Sequence, residues 1–316
     1  MTAAAPVAVV DAQTVVDAIG LGAMYALMAL GIGLVFGVLR LVNFAYGQVI
    51  MVGAYALAFG SQPTRHLWDE PLPTWLNVAL CVAVVLALSL LMELAVFRPL
   101  RRAAPAVMLV TTFAVAFLLQ SVALLVDLED DGTIGEPAIA VASLNQVVSV
   151  GGVDIRKVTI LAVVLSVAGA ALLALFLART SLGLQMRAAA ADFQTARLLG
   201  VRANRVIGAA VVLSGVIAAV VAVLLSVQNP LIAPQFALQD TIVVLVGVVV
   251  GGIDRLWTGT LGAFVVGFAT GIIGAALPTE HSVFMPSAVF ALVIVVLLLR
   301  PAGLFAWGRN VTAERV

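Results

Sequence analysis

Few residues in this chain have side chains suited to chemistry, and those few fall into two groups. Asn43 follows Arg40 and precedes an apolar run, so its side chain can accept from the free backbone N–H groups of the next helix. Such a helix N-terminus also suits a carboxylate. Tyr25, Phe44, Tyr46 and Gln48 stand nearby in sequence. They can line a pathway or a turn, and they equally suit packing and hydrogen bonding between helices. The second group is the polar stretch RTSLGLQMRAAAADFQTARLLGVRANR, residues 179–205. Within it Arg187, Ala190, Ala191, Asp192, Ala196 and Gly200 repeat small residues at helical intervals, leaving one face nearly bare, so that another protein's cleft can approach the backbone. No helix breaker stands between Gln185 and Leu199, so the spacing predicts a surface helix closed by Gly200.

Other polar residues read as structural. Glu93 lies one turn from Arg98 and is expected to pair with it. Gln120, Ser214 and Ser226 are expected to hydrogen-bond between helices. His66 and His281 fall in separate predicted external loops, and neither a G-x-x-x-x-G-K-[ST] loop nor an H-E-x-x-H pair occurs. The lone cysteine, Cys81, excludes an intramolecular disulfide and reads as packing. Without a buried acid or histidine chain, a proton-coupled mechanism lacks its parts.

The elements that must position these residues are set by lipid. With 63% hydrophobic and 10% charged residues in 316, the chain lies far from the soluble range. Zero formal net charge gives no general field for nucleic acid. The apolar runs are about 14–38, 42–60, 75–97, 105–126, 158–178, 206–227, 240–252, 257–277 and 284–299. Backbone groups in lipid must be satisfied internally, so these runs predict an all-α, polytopic transmembrane bundle of about nine (8–10) spanning segments in a single domain, residues 1–316. Residues 240–252 are too short to span alone and read as re-entrant or as part of a broken helix. The N-terminus lacks a basic n-region and reads as leading into an uncleaved first helix.

Alternating sides from an external N-terminus puts Arg40, Arg98, Arg101, Arg102, Arg179, Arg187, Arg197, Arg202, Arg205, Arg255, Arg300, Arg309 and Arg315 inside, and only Arg65, Arg156 and Lys157 outside. That bias predicts a cytoplasmic C-terminus. Small-xxx-small pairs at Gly33 and Gly37, Gly247 and Gly251, and Gly267 and Gly271 predict close helix packing.

Several stretches resemble the permease family of branched-chain amino acid ABC transporters. RAAAADFQTARLLGV looks like the family's EAA-type coupling segment. The N-F-A-x-G turn at Asn43, Phe44, Ala45 and Gly47, within residues 20–57, is similar to its first two helices. MELAVFRPLRR, residues 92–102, and RPAGLF, residues 300–305, resemble its Arg-Pro-Leu loop and C-terminal signature. VGGIDRLWTGTLGAFVVG, residues 250–267, resembles its Gly-Gly-Ile motif, although Asp254 and Arg255 stand where a small pair is usual.

The resemblance implies a bacterial inner-membrane permease subunit that couples through Arg187, Ala190, Asp192, Ala196 and Gly200 within residues 179–205. It implies a second homologous permease, as a heterodimer, two cytoplasmic ATPases and an external solute-binding protein. It further implies no cofactor on this chain, with ATP and magnesium held by the ATPases. The substrate implied is a zwitterionic amino acid with an aliphatic side chain; related members carry urea, short amides or aromatic acids. A stand-alone secondary transporter and a structural membrane protein are the rival classes. The first would show intramembrane ionisable residues, and the second would not need the cytoplasmic helix.

Overall fold

The computed structural model describes residues 11–39, 43–61, 72–100, 103–130, 136–137, 141, 144–150, 152–229, 231–252, 255–277, 283–300 and 304. Arg40, Arg65, His66, Arg101, Arg102, Asp254, His281, Arg309 and Arg315 lie outside them. Every apolar run becomes a helix. In chain order these are α1 (Ala12–Leu39), α2 (Tyr46–Ser61), α3 (Thr74–Leu100, with a π turn at Glu93–Phe97) and α4 (Pro105–Asp130). A short region between helices follows, with β1 (Glu136–Pro137) and the hairpin β2 (Val147–Val150) and β3 (Val153–Arg156). Next come α5 (Lys157–Arg179), the pair α6 (Ser181–Ala191) and α7 (Phe193–Leu198), and α8 (Ala203–Gln228). The chain then forms β4 (Leu231–Ile232), α9 (Leu238–Gly251), α10 (Leu256–Ala276) and α11 (Met285–Leu299).

Six of these helices are long and apolar enough to cross a membrane, while Tyr46–Gly60, Leu238–Gly251 and Met285–Leu299 are shorter. The expected nine crossings thus resolve into six full-length helices and three shorter ones. At ~1.5 Å per residue, α2 and α9 reach only about 24 and 21 Å, short of the ~30 Å of hydrocarbon.

Helix α1 is the axis of the bundle. Of its spanning window 83% is buried, against 17% for α4 and α5, whose outer faces leave Phe113, Phe117, Leu118, Val164, Val167 and Leu172 exposed. Glycine sets the tightest crossings. A Cβ on Gly267 would stand 2.9 Å from the Gly22 Cα, and one on Gly271 would stand 2.7 Å from the Ala18 Cα, so α1 and α10 meet backbone to backbone. Gly247 likewise faces the Ala263 Cα at 2.7 Å, fixing α9 on α10. Two of the three expected glycine pairs therefore pack helices. The third does not: Gly33 meets a Leu256 side chain, and Gly37 faces open space.

Candidate functional site: two half-helices meeting inside the bundle

Neighbouring residues fix the depth and direction of each helix. Leu256 lies beside Gly33, Gly267 beside Tyr25 and Gly271 beside Ala18, so α10 runs antiparallel to α1. Gly53 sits against Cys81, Val85 and Ala222, and Gly60 against Asn77, so α2 is antiparallel to α3. Ser214 Oγ donates to the Gly31 carbonyl at 2.8 Å, an interhelical bond between α8 and α1. Ser226 instead bonds the Ala222 carbonyl of its own helix at 2.7 Å, against the interhelical role expected for it.

In this frame α2 does not start at the inner end of α1. Tyr46 reaches Gly31, two turns before Leu39, which is about 12 Å back along α1. Asn43, buried among Val35, Met92 and Phe97, shapes that return. Its Oδ1 accepts the Ala45 N–H at 3.1 Å, an Asx turn leading into α2. From there α2 runs outward toward Asn77, whose Nδ2 donates to the Leu57 carbonyl at 2.9 Å.

Helix α9 starts inside as well, approached from the other side. The chain leaves α8 at Gln228, pairs β4 with β1, and descends until Asp240 meets Tyr25 at the middle of α1. The Tyr25 hydroxyl donates to Asp240 Oδ1 at 2.7 Å. From there α9 runs inward and ends at Gly252, whose φ of +105° suits glycine. The expectation of a broken or re-entrant helix over residues 240–252 fits this path. Leu304, in the C-terminal Arg-Pro-x-Gly-Leu run, donates its N–H to the Val250 carbonyl at 2.7 Å and ties the end of α9 down.

The two N-termini touch. A Cβ on Gly47 would lie 2.9 Å from the Ala237 carbonyl and 3.0 Å from Thr241 Cβ, so only glycine lets the first turn of α2 rest on the first turn of α9. Around this contact sit the polar groups Tyr25, Asp240, Gln48, Tyr46 and Thr241, all but Asp240 nearly fully buried. Gln48 Oε1 and the Tyr46 hydroxyl have no hydrogen-bond partner among the described residues. Orphaned polar atoms at this depth are expensive unless water or a ligand reaches them. The small cavity lined by Asn43, Tyr46, Ser89 and Ser214 holds about 10 Å³, room for one water and no larger guest.

Tyr25, Tyr46 and Gln48 are thus grouped, with Asn43 at their inner edge and Phe44 half-buried, edge-on to Phe113 at 6.3 Å. Sequence reasoning missed Asp240, which it read as the start of an isolated short run. An ionised side chain at this depth costs about 2.5–3.5 kcal/mol even on lenient scales, which makes it a functional candidate. A signal was present: Asn43-Phe44-Ala45 with Gln48 is echoed by Gln235-Phe236-Ala237 with Asp240. Ala45 and Ala237 are both fully buried, and Gln48 and Asp240 both fall in a first turn. The packing repeats too: α1–α2–α3 and α8–α9–α10 interlock, α1 lying on α10 and α9, and α8 on α3 and α2. Each unit is a long helix, a dip, a half-helix and a long helix.

The other candidate residues lie apart from this contact, on α6 and α7. The expected single helix is broken at Asp192, whose extended backbone (φ −149°, ψ 108°) ends α6. The reason is local: Asp192 Oδ1 accepts the Thr195 N–H at 3.1 Å and Oδ2 accepts its hydroxyl at 2.5 Å, so Asp192 caps α7 and starts a new helix. Gly200 closes α7 at φ +88°, with Val201 N–H to Ala196 O at 3.0 Å and Gly200 N–H to Arg197 O at 3.1 Å, a Schellman ending. Arg187, Asp192 and Gly200 are exposed, Ala190 is half-buried, and Ala196 is buried with Met186 and Ala189 on the inner face. Leu198 and Leu199 stand out at 88% and 80% exposure. A cleft of about 580 Å³, lined by Gly37, Leu177, Arg187, Ala190, Leu256 and Trp257 among others, separates α6 from α1 and α10.

Half-helices meeting inside a bundle of long apolar helices define a membrane transport protein, since non-helical backbone at this depth is tolerated only where protein or a water-filled route surrounds it. The chain belongs to the family described as the permease component of the branched-chain amino acid transport system, whose model matches residues 14–299. It is 29% identical over 299 residues to the high-affinity branched-chain amino acid transport system permease protein BraD of Pseudomonas aeruginosa, covering 92% of this chain and 94% of the relative. It is also 29% identical over 302 residues, with the same coverage, to the LivH proteins of the same description from Salmonella typhimurium and Escherichia coli K12. No solved structure matches the chain.

Proposed function

We propose that this chain is the permease subunit of an ATP-driven importer that carries branched-chain, aliphatic amino acids across the bacterial inner membrane. The family match across residues 14–299, with relatives named for that transport, carries the reading. In it the chain pairs with a second, homologous permease, takes substrate from an external binding protein, and receives work from two ATPases that hold ATP and magnesium. The chain itself binds no cofactor, and the arginine bias sets its C-terminus in the cytoplasm.

The pair α6–α7 is the docking element in this scheme. Its exposed Leu184 on α6 and Leu198 and Leu199 at the end of α7 are apolar side chains left uncovered, as suits a protein partner. The joint to α5 is tight: Thr180 Oγ1 caps Gly183 N–H at 2.9 Å, and a Cβ on Gly183 would collide with the last turn of α5. A push on α6 therefore passes into α5 and through its packing on α1 toward α10. Those helices carry the half-helix contact, so its two sides can open in turn.

Reconstitution of the four-subunit complex with the binding protein tests this. ATP-dependent uptake of leucine, isoleucine and valine is expected. Uptake of urea, short amides or aromatic acids instead would move the substrate assignment, and uptake without ATP would return the stand-alone transporter. Bulky replacements at Asp192 or Gly200 should lower uptake and transport-stimulated ATP hydrolysis while membrane insertion persists. Unchanged uptake would remove α6–α7 from the coupling scheme.

A further inference from the structure

We propose that Asp240 is the anionic site that receives the ammonium group of the substrate in the translocation pathway, an inference that rests on the reading of the chain as an amino acid permease. Its carboxylate accepts from Tyr25, a neutral donor that orients it without cancelling its charge. Among the described residues no lysine, arginine or histidine forms an ion pair with it. A carboxylate level with the middle of α1 and largely buried there cannot be turned to lipid.

Its surroundings say what it is turned to. The descending segment before α9 presents Asn229, Gln235 and Gln239 as exposed polar side chains on the way to Asp240. Residues 231–237 are strand and turn rather than helix, and where such backbone enters the bundle it needs protein or water around it. In this proposal the segment is one wall of the route by which substrate reaches the contact, with Asp240 at its end. Placed in the first turn of α9, the carboxylate is also stabilised as an anion by the helix dipole.

The corresponding position in the other unit carries a neutral side chain, Gln48, 1% exposed. Among the described residues of the contact Asp240 is the one acidic side chain, and a carboxylate there selects for a positive group on the cargo. Amino acids present one; their 2-oxo acid counterparts do not.

The test is leucine uptake by the reconstituted complex carrying Asp240→Asn, Asp240→Glu or Tyr25→Phe. Asp240→Asn should assemble with its partners at wild-type yield and lose uptake at least tenfold. Asp240→Glu should restore a substantial part of it, and Tyr25→Phe should lose a few-fold. Wild-type uptake by Asp240→Asn would overturn the proposal. So would equal inactivity of the Asn and Glu variants with poor assembly of both, which marks a structural residue. If the wild-type complex takes up no leucine, the amino acid reading itself fails, a result distinct from either.

Discussion

The start of α2 and the start of α9 are built on one plan and finished differently. Both follow a dip into the bundle, both place a buried alanine before the first turn, and both put a hydrogen-bonding residue one turn on. At α2 the turn is capped by Asn43, the cavity beside Tyr46 has closed to about one water, and Gln48 is sealed. At α9 the residue is charged, braced by Tyr25, and approached by exposed polar side chains. One half-helix is a sealed abutment and the other faces the route. Two related units can thus share a scaffold while only one meets the cargo.

Exchanging charge between the two positions should break this comparison most sharply. Gln48→Glu buries a carboxylate with no cationic partner among the described residues, and several kcal/mol of destabilisation are expected. Lower membrane accumulation and an earlier thermal transition in detergent would show it. Asp240→Asn should leave both unchanged. The next largest effect is at the abutment: Gly47→Leu drives a side chain into Thr241 and the Ala237 carbonyl, costing about 1–3 kcal/mol and prising the half-helices apart. Asn43→Ala removes the Asx turn ahead of α2 and should cost about 1 kcal/mol, read as a modest loss of thermal stability. Smallest is Ser214→Ala, which removes one bond to the Gly31 carbonyl for about 0.5–1.5 kcal/mol with uptake retained. If Gln48→Glu were tolerated as easily as Ser214→Ala, the α2 end would not be sealed.

Run length was enough to read the helices, because lipid allows little else. The depth of α2 was not readable. Hydropathy registers that residues 42–60 are apolar but not that the Tyr46 hydroxyl, at the start of α2 after the turn at Asn43, reaches Gly31. Asp240 was passed over for a related reason: its meaning comes from Tyr25, 215 positions away. In the coupling stretch Gly200 was legible because a left-handed helix end has one favoured residue. The break at Asp192 was hidden, since aspartate interrupts a helix only when its side chain finds the next turn's N–H, as it does with Thr195.

A route beside the meeting half-helices should admit small water-soluble reagents. The chain has one cysteine, the buried Cys81, so a cysteine-free background needs one change, and single cysteines can then be placed at Gln235 and Gln239. A membrane-impermeant thiol reagent added to intact cells should label both positions, less so when the ATPases are trapped with nucleotide, while a cysteine at Phe117 on the lipid face stays unlabelled. Labelling of Phe117→Cys alone, or no labelling at 235 and 239 in any nucleotide state, would contradict the account.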